Sequence, residues 1–480
     1  MTDLEKFLLE ENKQLRATIS KLTEEIENLT QVIKELQENR NKNSRNSSKP
    51  PSSDGLEKPP APKSNREPSG KRPGGQQGHT GHGLKKLKAD QMDDVPHRPR
   101  QCEGCPHAGQ CELVCRSPIR HEYDIKITIV DRQHYTEAYA CKMDNGSIIS
   151  GEFPSNITSS QQYGSGLKSF VSTLNTEGMM GIKRIHDFVS CFGIPYSTGS
   201  IAKAVKELSA LLAPAVKGIS EALLRAPVVN CDETGFRTDG SLHWIHAVCD
   251  SRYTFLSVHS KRGEEAMREI GFLPAYNGIA MHDCWSPYWK FPQLLHALCN
   301  AHIMRELKGH RENHPEQAWI AAFRALLQEM DHSRNEIIRQ GGTEIPGDVL
   351  ADFNHRYDEY METAVKENPI PERKPGQRGK TAKGKLRSLI DRLIEHKGEF
   401  CLFLTDFRVG FTNNPAEQSI RMAKVKGKVS GSMRTVSGAD DFVTIMSYIG
   451  TVKKQGFNVF EAIRTAFAGK SYQLLFPATE

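Results

Sequence analysis

Ala226-Pro227-Val228-Val229-Asn230-Cys231-Asp232-Glu233-Thr234-Gly235-Phe236-Arg237 is the stretch on which the reading of this chain turns. Its apolar, β-branched run reads as a strand that ends in acids. A second run of the same form follows, Gly278-Ile279-Ala280-Met281-His282-Asp283. A third acid, Glu417, lies far downstream inside Thr412-Asn413-Asn414-Pro415-Ala416-Glu417-Gln418-Ser419-Ile420-Arg421. Two strand-end aspartates and a distant helical glutamate can converge on a pair of hard divalent cations, because carboxylate oxygens suit Mg²⁺ and Mn²⁺. Two such ions about 3.5–4 Å apart clamp the attacking and leaving oxygens of a phosphodiester. Convergence of Asp232, Asp283 and Glu417 would therefore give a chain that cuts or joins nucleic acid.

Outward from these motifs the texture is α/β. Residues 228–232, 243–249 and 253–258 read as three successive strands and 264–270 as a helix. Residues 278–282 read as a fourth strand and 295–300 as a fifth, with a helix from about 301. A long helical stretch over 315–366 gives way to a basic loop carrying Arg373, Lys374, Arg378, Lys380, Lys383 and Lys385. A further helix, 386–397, leads to 400–404. Three antiparallel strands, helix, strand, helix, strand is the order of a ribonuclease-H-like core, with the helical block inserted ahead of the helix that carries Glu417. The expected fold class is α/β: a ribonuclease-H-like catalytic core with an α-helical insert, preceded by a coiled coil, a basic linker, a small zinc-binding module and a helical domain.

The N-terminal parts read as follows. Leu8, Leu15, Leu22, Leu29 and Leu36 recur every seven residues, and Asn12, Ile19, Ile26 and Ile33 fill the other seam position. Leucine at d with isoleucine at a favours a parallel two-stranded coiled coil, and one Asn at a fixes its register. Between 41 and 88, eleven basic residues stand against three acidic ones, and Pro50-Pro51, Pro59-Pro60 and Gly74-Gly75 exclude regular structure. This segment reads as a flexible basic arm that contacts a polyanion. Cys102, Cys105, Cys111 and Cys115, spaced C-x₂-C-x₅-C-x₃-C, suit a tetrahedral Zn²⁺ thiolate site, with His107 and Cys141 as alternative ligands. Between 156 and 224 the pattern is helical. A break at Gly193-Ile194-Pro195 is followed by Ser197-Thr198 as an N-cap, the outline of a helix-turn-helix that plain helical bundles share.

Length and charge set the outer bounds. A chain of 480 residues holds roughly two to four domains. The net charge of +6 is concentrated in the 41–88 arm, which alone carries +8. No apolar run reaches the ~20 residues of a spanning helix, and the polar start reads as no signal peptide. The expected location is the cytoplasm, in association with the nucleoid, where eleven cysteines stay thiols or bind metal.

Taken in order, these motifs resemble the transposases of the insertion-sequence 66 family. Asp-Glu-Thr-Gly-Phe-Arg at 232–237 resembles the first family motif and His-Asp-Cys-Trp-Ser-Pro-Tyr at 282–288 the second. Cys299, Ala301, His302 and Arg305 match a Cys-x-Ala-His-x-x-Arg segment, and Asn413, Asn414, Ala416, Glu417, Ile420 and Arg421 match the third motif. The 46–54 and 74–79 strings and the tail from Lys426-Gly427-Lys428-Val429-Ser430-Gly431 to Lys453-Lys454-Gln455-Gly456 match further signatures.

The resemblance implies an Asp-Asp-Glu transposase that binds transposon ends and catalyses strand cleavage and strand transfer. The competing reading is a catalytically inactive relic that binds ends without cutting. Carried over, Asp232, Asp283 and Glu417 would hold two Mg²⁺ or Mn²⁺ ions, with Glu233 beside them in a supporting role. His302 and Arg305 share a helical face and would orient a triad carboxylate, hold a phosphate, or make a purely structural contact. Arg421, Lys424, Lys426, Lys428 and Arg434 read as contacts to backbone phosphates at the cut ends. Trp285 and Tyr288 would either stack on an unpaired base or fill the core. The implied partners are double-stranded DNA with terminal inverted repeats, a second copy of the chain joined through the coiled coil, and short accessory proteins. The chain departs from the family at Cys141-Lys142-Met143-Asp144, where a second late cysteine is missing, and at Gln418, where many relatives have Arg. The implied boundaries are 1–40 coiled coil, 41–95 linker, 96–152 zinc module, 153–225 helical DNA-binding domain, 226–310 and 399–445 the two parts of the core, 311–398 the insert, and 446–480 a helical tail.

Overall fold

The computed structural model describes residues 3–41, most of 94–143, all of 146–370 and all of 383–476. Residues 42–93, which include the basic arm beyond Asn41, and Arg373, Lys374, Arg378 and Lys380 of the insert loop lie outside the described residues. The chain divides into two compact units, one formed by 1–61 with 161–480 and the other by 62–160.

Helix α1 (Asp3–Asn41) runs 39 residues without interruption. Its leucine and isoleucine seam stands in solvent, with Leu22 51% and Leu36 62% exposed. In the smaller unit, β1 (Ala138–Ala140) and β2 (Ile148–Ser150) form a short antiparallel hairpin.

The larger unit continues with α2 (Ser165–Thr176), α3 (Ile182–Ser190) and α4 (Thr198–Leu224). Ser197 caps α4 by accepting the Ser200 N–H at 3.1 Å. Ile201 and Ala204 pack with Val171, Ile185, Val189 and Tyr196 in a small helical cluster. The rest of α4, including Leu208, Leu212, Ile219 and Leu223, belongs to the core beneath the sheet. One helix thus serves both layers.

The sheet comprises β3 (Val228–Thr238), β4 (Ser241–Cys249), β5 (Thr254–His259), then α5 (Glu264–Ile270) and α6 (Phe272–Ala275), then β6 (Ile279–His282) and β7 (Leu295–Leu298). The strand order is β5-β4-β3-β6-β7. β3 pairs antiparallel with β4, and β4 with β5, whereas β3–β6 and β6–β7 are parallel. Every residue of β6 is buried, as a central strand covered on both faces requires. Side-chain alternation sends Ala280 to one face and Ile279 and Met281 to the other.

The second face is covered by α7 (Asn300–Asn313) and the helices α8 (Ala318–Arg339), α9 (Gly347–Glu367), α10 (Lys385–Glu395) and α11 (Lys397–Thr405). Gly341 ends α8 in a left-handed conformation, φ 83°, which splits the long helical stretch in two. The chain then forms α12 (Asn414–Ser430), α13 (Val436–Lys454), α14 (Val459–Phe467) and α15 (Ser471–Leu475). These return to the first face, where Ser447 and Thr451 of α13 accept the Leu256 and Thr254 N–H groups of β5 at 2.8 and 3.0 Å. The C-terminal helices are therefore part of the sheet core.

Two local expectations change, and one stretch without an assignment gains one. β3 continues past Asp232 to Thr238, because pairing with β4 reaches Thr238↔Ser241. Only a 3₁₀ turn, Ser286–Lys290, joins β6 to β7, so no full helix stands between them. Residues 400–404 fall within α11, where Phe400, Phe403 and Leu404 are buried at helical spacing.

Candidate active site

Two strands present the aspartates in register. The parallel ladder of β3 and β6 ends at Asn230↔Met281. Asp232 and Asp283 each follow two residues beyond that last rung, so the period-2 alternation of a strand directs both to the same side. At this point β3 stays with β4 while the other strand leaves the sheet. A crevice at the carboxyl ends of parallel strands is the usual ligand position in open α/β sheets. The departing chain turns sharply, with Cys284 at φ 68°, unusual for a residue with a side chain. The Trp285 N–H donates to Asp283 Oδ1 at 3.1 Å, which fixes the carboxylate inside that turn. The Glu233 N–H donates to Asp232 Oδ1 at 2.8 Å.

Glu417 arrives on the first turn of α12, and Asn413 ahead of it secures the helix. Asn413 does not cap α12 with its side chain. Its Nδ2 donates instead to the Cys231 carbonyl at 2.7 Å, and its Oδ1 accepts from Asn230 Nδ2 at 2.9 Å. Its backbone N–H donates to Cys299 Sγ at 3.1 Å. The start of α12 is thereby tied to β3 one residue before Asp232, and to the junction of β7 and α7.

The carboxylates form one electrostatic neighbourhood. Burial holds Asp232 well above the usual carboxylate range, and the charges of Glu233, Asp283 and Glu417 push the same way. Burial also raises Asp283, against the Trp285 N–H and the Arg262 charge. Glu233 is pushed up to about 7 by burial, against hydrogen bonds from Tyr288 and Arg262. So many acids in a shielded pocket resist ionising together, which a divalent cation would relieve. These carboxylates offer oxygen alone, the donor chemistry of Mg²⁺ or Mn²⁺, but among the described residues Asp232, Asp283 and Glu417 do not gather as a ligand group in this arrangement.

Glu233 is buried on a second side of β3. The Tyr288 hydroxyl donates to its Oε1, and Arg262 Nη2 lies 3.4 Å from its Oε2. The Arg262 guanidinium sits 3.8 Å from the Trp285 ring centroid and 4.9 Å from that of Trp244. Tyr288 is thus a core residue that grips Glu233, and Trp285 carries Arg262. Tyr288 also stacks on His282 at 4.3 Å. His282 Nδ1 accepts the Cys284 N–H at 3.1 Å, so its Nε2 carries the proton and donates to His296 Nδ1 at 3.0 Å.

His302 and Arg305 of α7 both face Glu417. Arg305 Nη2 is 3.4 Å and His302 Nδ1 3.9 Å from Glu417 Oε1. Burial and the neighbouring arginines push His302 down to about 3, and burial pushes the Cys299 thiol up to about 11. Among the described residues, Cys299, His302 and Glu417 form a group whose ligand atoms all lie within 4.8 Å of one another.

On α12 and beyond, Arg421, Lys428 and Arg434 are exposed and Lys424 is half-buried. Lys426 departs from the expectation of a phosphate contact. It is 4% exposed, and its ammonium donates to the Asn175 and Met180 carbonyls at 2.8 and 3.4 Å. It clamps α12 to the turn after α2. Cys102, Cys111 and Cys115 are exposed thiols, Cys105 and Cys141 half-buried ones, and among the described residues they do not gather as a ligand group. Arg262 and the clamping role of Asn413 escaped the sequence reading. Arg262 lies in a charged Lys-Arg-Gly-Glu-Glu string that looks like solvated surface, whereas Asn413 stood inside a recognised motif.

Two aspartates beyond the end of a parallel ladder, with a helical acid pinned to the neighbouring strand, mark a candidate catalytic site. The family model for the transposase IS66 family matches residues 160–441, more than half of the chain. The chain belongs to the IS66 transposase family. Residues 5–85 match a family of unknown function, DUF6444. A curated relative, Uncharacterized protein y4hP of Sinorhizobium fredii (strain NBRC 101917 / NGR234), is 24% identical over 300 residues. The match covers 55% of this chain and spans about half, 51%, of that protein. No helix among the described residues is long and apolar enough to cross a membrane.

Proposed function

We propose that this chain is a DNA transposase that binds transposon ends and catalyses metal-dependent strand cleavage and strand transfer. The observation that carries the reading is the shared offset of Asp232 and Asp283 past the Asn230↔Met281 rung, with α12 pinned alongside by Asn413. The sheet order, three antiparallel strands followed by two parallel ones, supports a ribonuclease-H-like core.

In this reading Asp232, Asp283 and Glu417 hold two divalent ions. When bound, these would activate the attacking oxygen and neutralise charge on the leaving oxygen. Arg305 holds Glu417 until DNA and metal arrive, with His302 beside it, and Tyr288 with Arg262 fixes Glu233 behind the aspartates. Water, then a 3′-hydroxyl, acts as nucleophile, so no serine or cysteine nucleophile is required. Arg421, Lys424, Lys428 and Arg434 contact backbone phosphates. The exposed seam of α1 pairs two copies, one for each inverted end, and the cysteine module binds Zn²⁺.

The test is Mg²⁺-dependent cleavage of a transposon-end duplex by the full-length protein. Wild type cleaves, Asp283→Ala does not, and both shift the duplex in a gel. Equal cleavage by the two would remove the assignment.

A further inference from the structure

We propose that Cys299, His302 and Glu417 form a second cation site, selective for a soft or borderline ion such as Zn²⁺, that withdraws Glu417 from the aspartates and holds the enzyme off. The regulatory half of this inference rests on the function proposed above; the binding half does not.

Three observations carry it. The first is the ligand geometry. Cys299 precedes α7 and His302 lies in its first turn, at i and i+3, so both occupy one face. Glu417 faces them from the first turn of α12, and the three ligand atoms lie within 4.8 Å of one another. Thiolate, imidazole and carboxylate are a borderline-soft set that suits Zn²⁺, whereas Asp232 and Asp283 offer oxygen alone.

The second is an orphaned ring nitrogen. His302 Nδ1 is buried and has no hydrogen-bond partner, although it stands 3.9 Å from Glu417 Oε1. Buried polar atoms without partners are rare in native proteins and call for an explanation. A metal bond to this nitrogen supplies one.

The third is the supporting shell. The Asn413 N–H donates to Cys299 Sγ at 3.1 Å, and Arg305 reaches Glu417 at 3.4 Å. Such outer contacts orient ligands and fix their geometry. With Arg305 at 3.4 Å and His302 at 3.9 Å from its Oε1, the Glu417 carboxylate leans toward α7. Binding replaces the Cys299 S–H bond with a sulfur–metal bond and releases that proton to solvent. In the regulatory half, Glu417 held here leaves the aspartate pair without its third carboxylate.

The test has two arms. In the first, cobalt(II) is titrated into metal-free full-length protein and read by thiolate-to-cobalt charge-transfer absorption. Cys299→Ser and His302→Gln should each bind one equivalent fewer than wild type, and Cys102→Ser should keep this equivalent. Two variants guard against one that fails to fold. Equal stoichiometry and equal spectra in wild type and both variants would overturn the site. In the second arm, Zn²⁺ is titrated into the Mg²⁺-dependent cleavage reaction. The half-inhibiting Zn²⁺ concentration should rise at least tenfold in Cys299→Ser; no change would overturn the regulation. A wild type that binds the extra cobalt yet cleaves no transposon end would support the site and refute the function reading instead.

Discussion

Asn413 and Asn230 are hydrogen bonded side chain to side chain at 2.9 Å across 183 positions of sequence. The same Asn413 amide donates to the Cys231 carbonyl, so a single buried residue sets where Glu417 stands relative to Asp232. Asn413→Ala removes both bonds and leaves the Asn230 amide without its partner. The expected cost is roughly 2–6 kcal/mol of stability, at about 1–3 kcal/mol for each of the two groups left unsatisfied. Misplacement of about 1 Å at reacting groups costs on the order of 10²-fold in rate. Cleavage should therefore fall by about that factor while gel-shift affinity for the end duplex holds. Denaturant melts and single-turnover cleavage check the two halves; unchanged cleavage would show that α12 is positioned by other contacts.

Glu233 and Tyr288 are a second coupled pair, and both are buried. Tyr288→Phe leaves the carboxylate with Arg262 alone, at 3.4 Å. The expected loss is roughly 1–3 kcal/mol. Adding Glu233→Gln to that variant should recover part of it, because the group left unpaired is then uncharged. A double-mutant cycle in denaturant measures the coupling. Additive effects would mean that the hydroxyl and the carboxylate act independently.

Much of the frame was legible because burial on both faces leaves a local signature. The apolar runs at 228–231 and 278–282 announced central strands, and Ser197 announced the start of α4. What failed depended on partners distant in sequence. The polar string Asp232-Glu233-Thr234-Gly235 looks like a strand end, yet hydrogen bonds from β4 carry β3 through it. The aspartates were readable from their strands. The contacts of Arg262 with Glu233 and of Asn413 with β3 were not, since Arg262 sits in a string that looks like solvated surface and the motif around Asn413 does not reveal its distant partners.

Lys426 illustrates the same limit and gives a pH test. Burial depresses its ammonium to about 8, from an ordinary 10.5. Between those values the unfolded chain holds the proton and the folded chain does not, so stability contributed by this residue rises with pH. Below about pH 8 the penalty for burying the charge is fully present. The slope is up to about 1.4 kcal/mol per pH unit within the window. Lys426→Met should abolish that component, seen as a stability curve flatter than that of wild type from pH 8 to 10.5, so that the difference between the two slopes with pH. Parallel curves would place the ammonium in solvent.

Helix α1 exposes Leu15, Ile19, Leu22, Ile26, Leu29 and Ile33 on one seam, an arrangement that water disfavours over its whole length. Pairing two such helices buries the seam, at about 25 cal/mol for each Å² removed from water. Asn12 donates to the Leu8 carbonyl of its own helix at 3.2 Å. In a parallel pair it would instead face its counterpart and fix the register. Removing residues 1–38 should convert a dimer to a monomer in sedimentation equilibrium and abolish the joining of paired ends, while divalent-ion binding by the aspartates is retained. Asn12→Leu should raise the melting temperature and loosen the choice of oligomer, giving mixed species at the same concentration. A truncated chain that sediments as a dimer would move the subunit contact off this helix and onto the core.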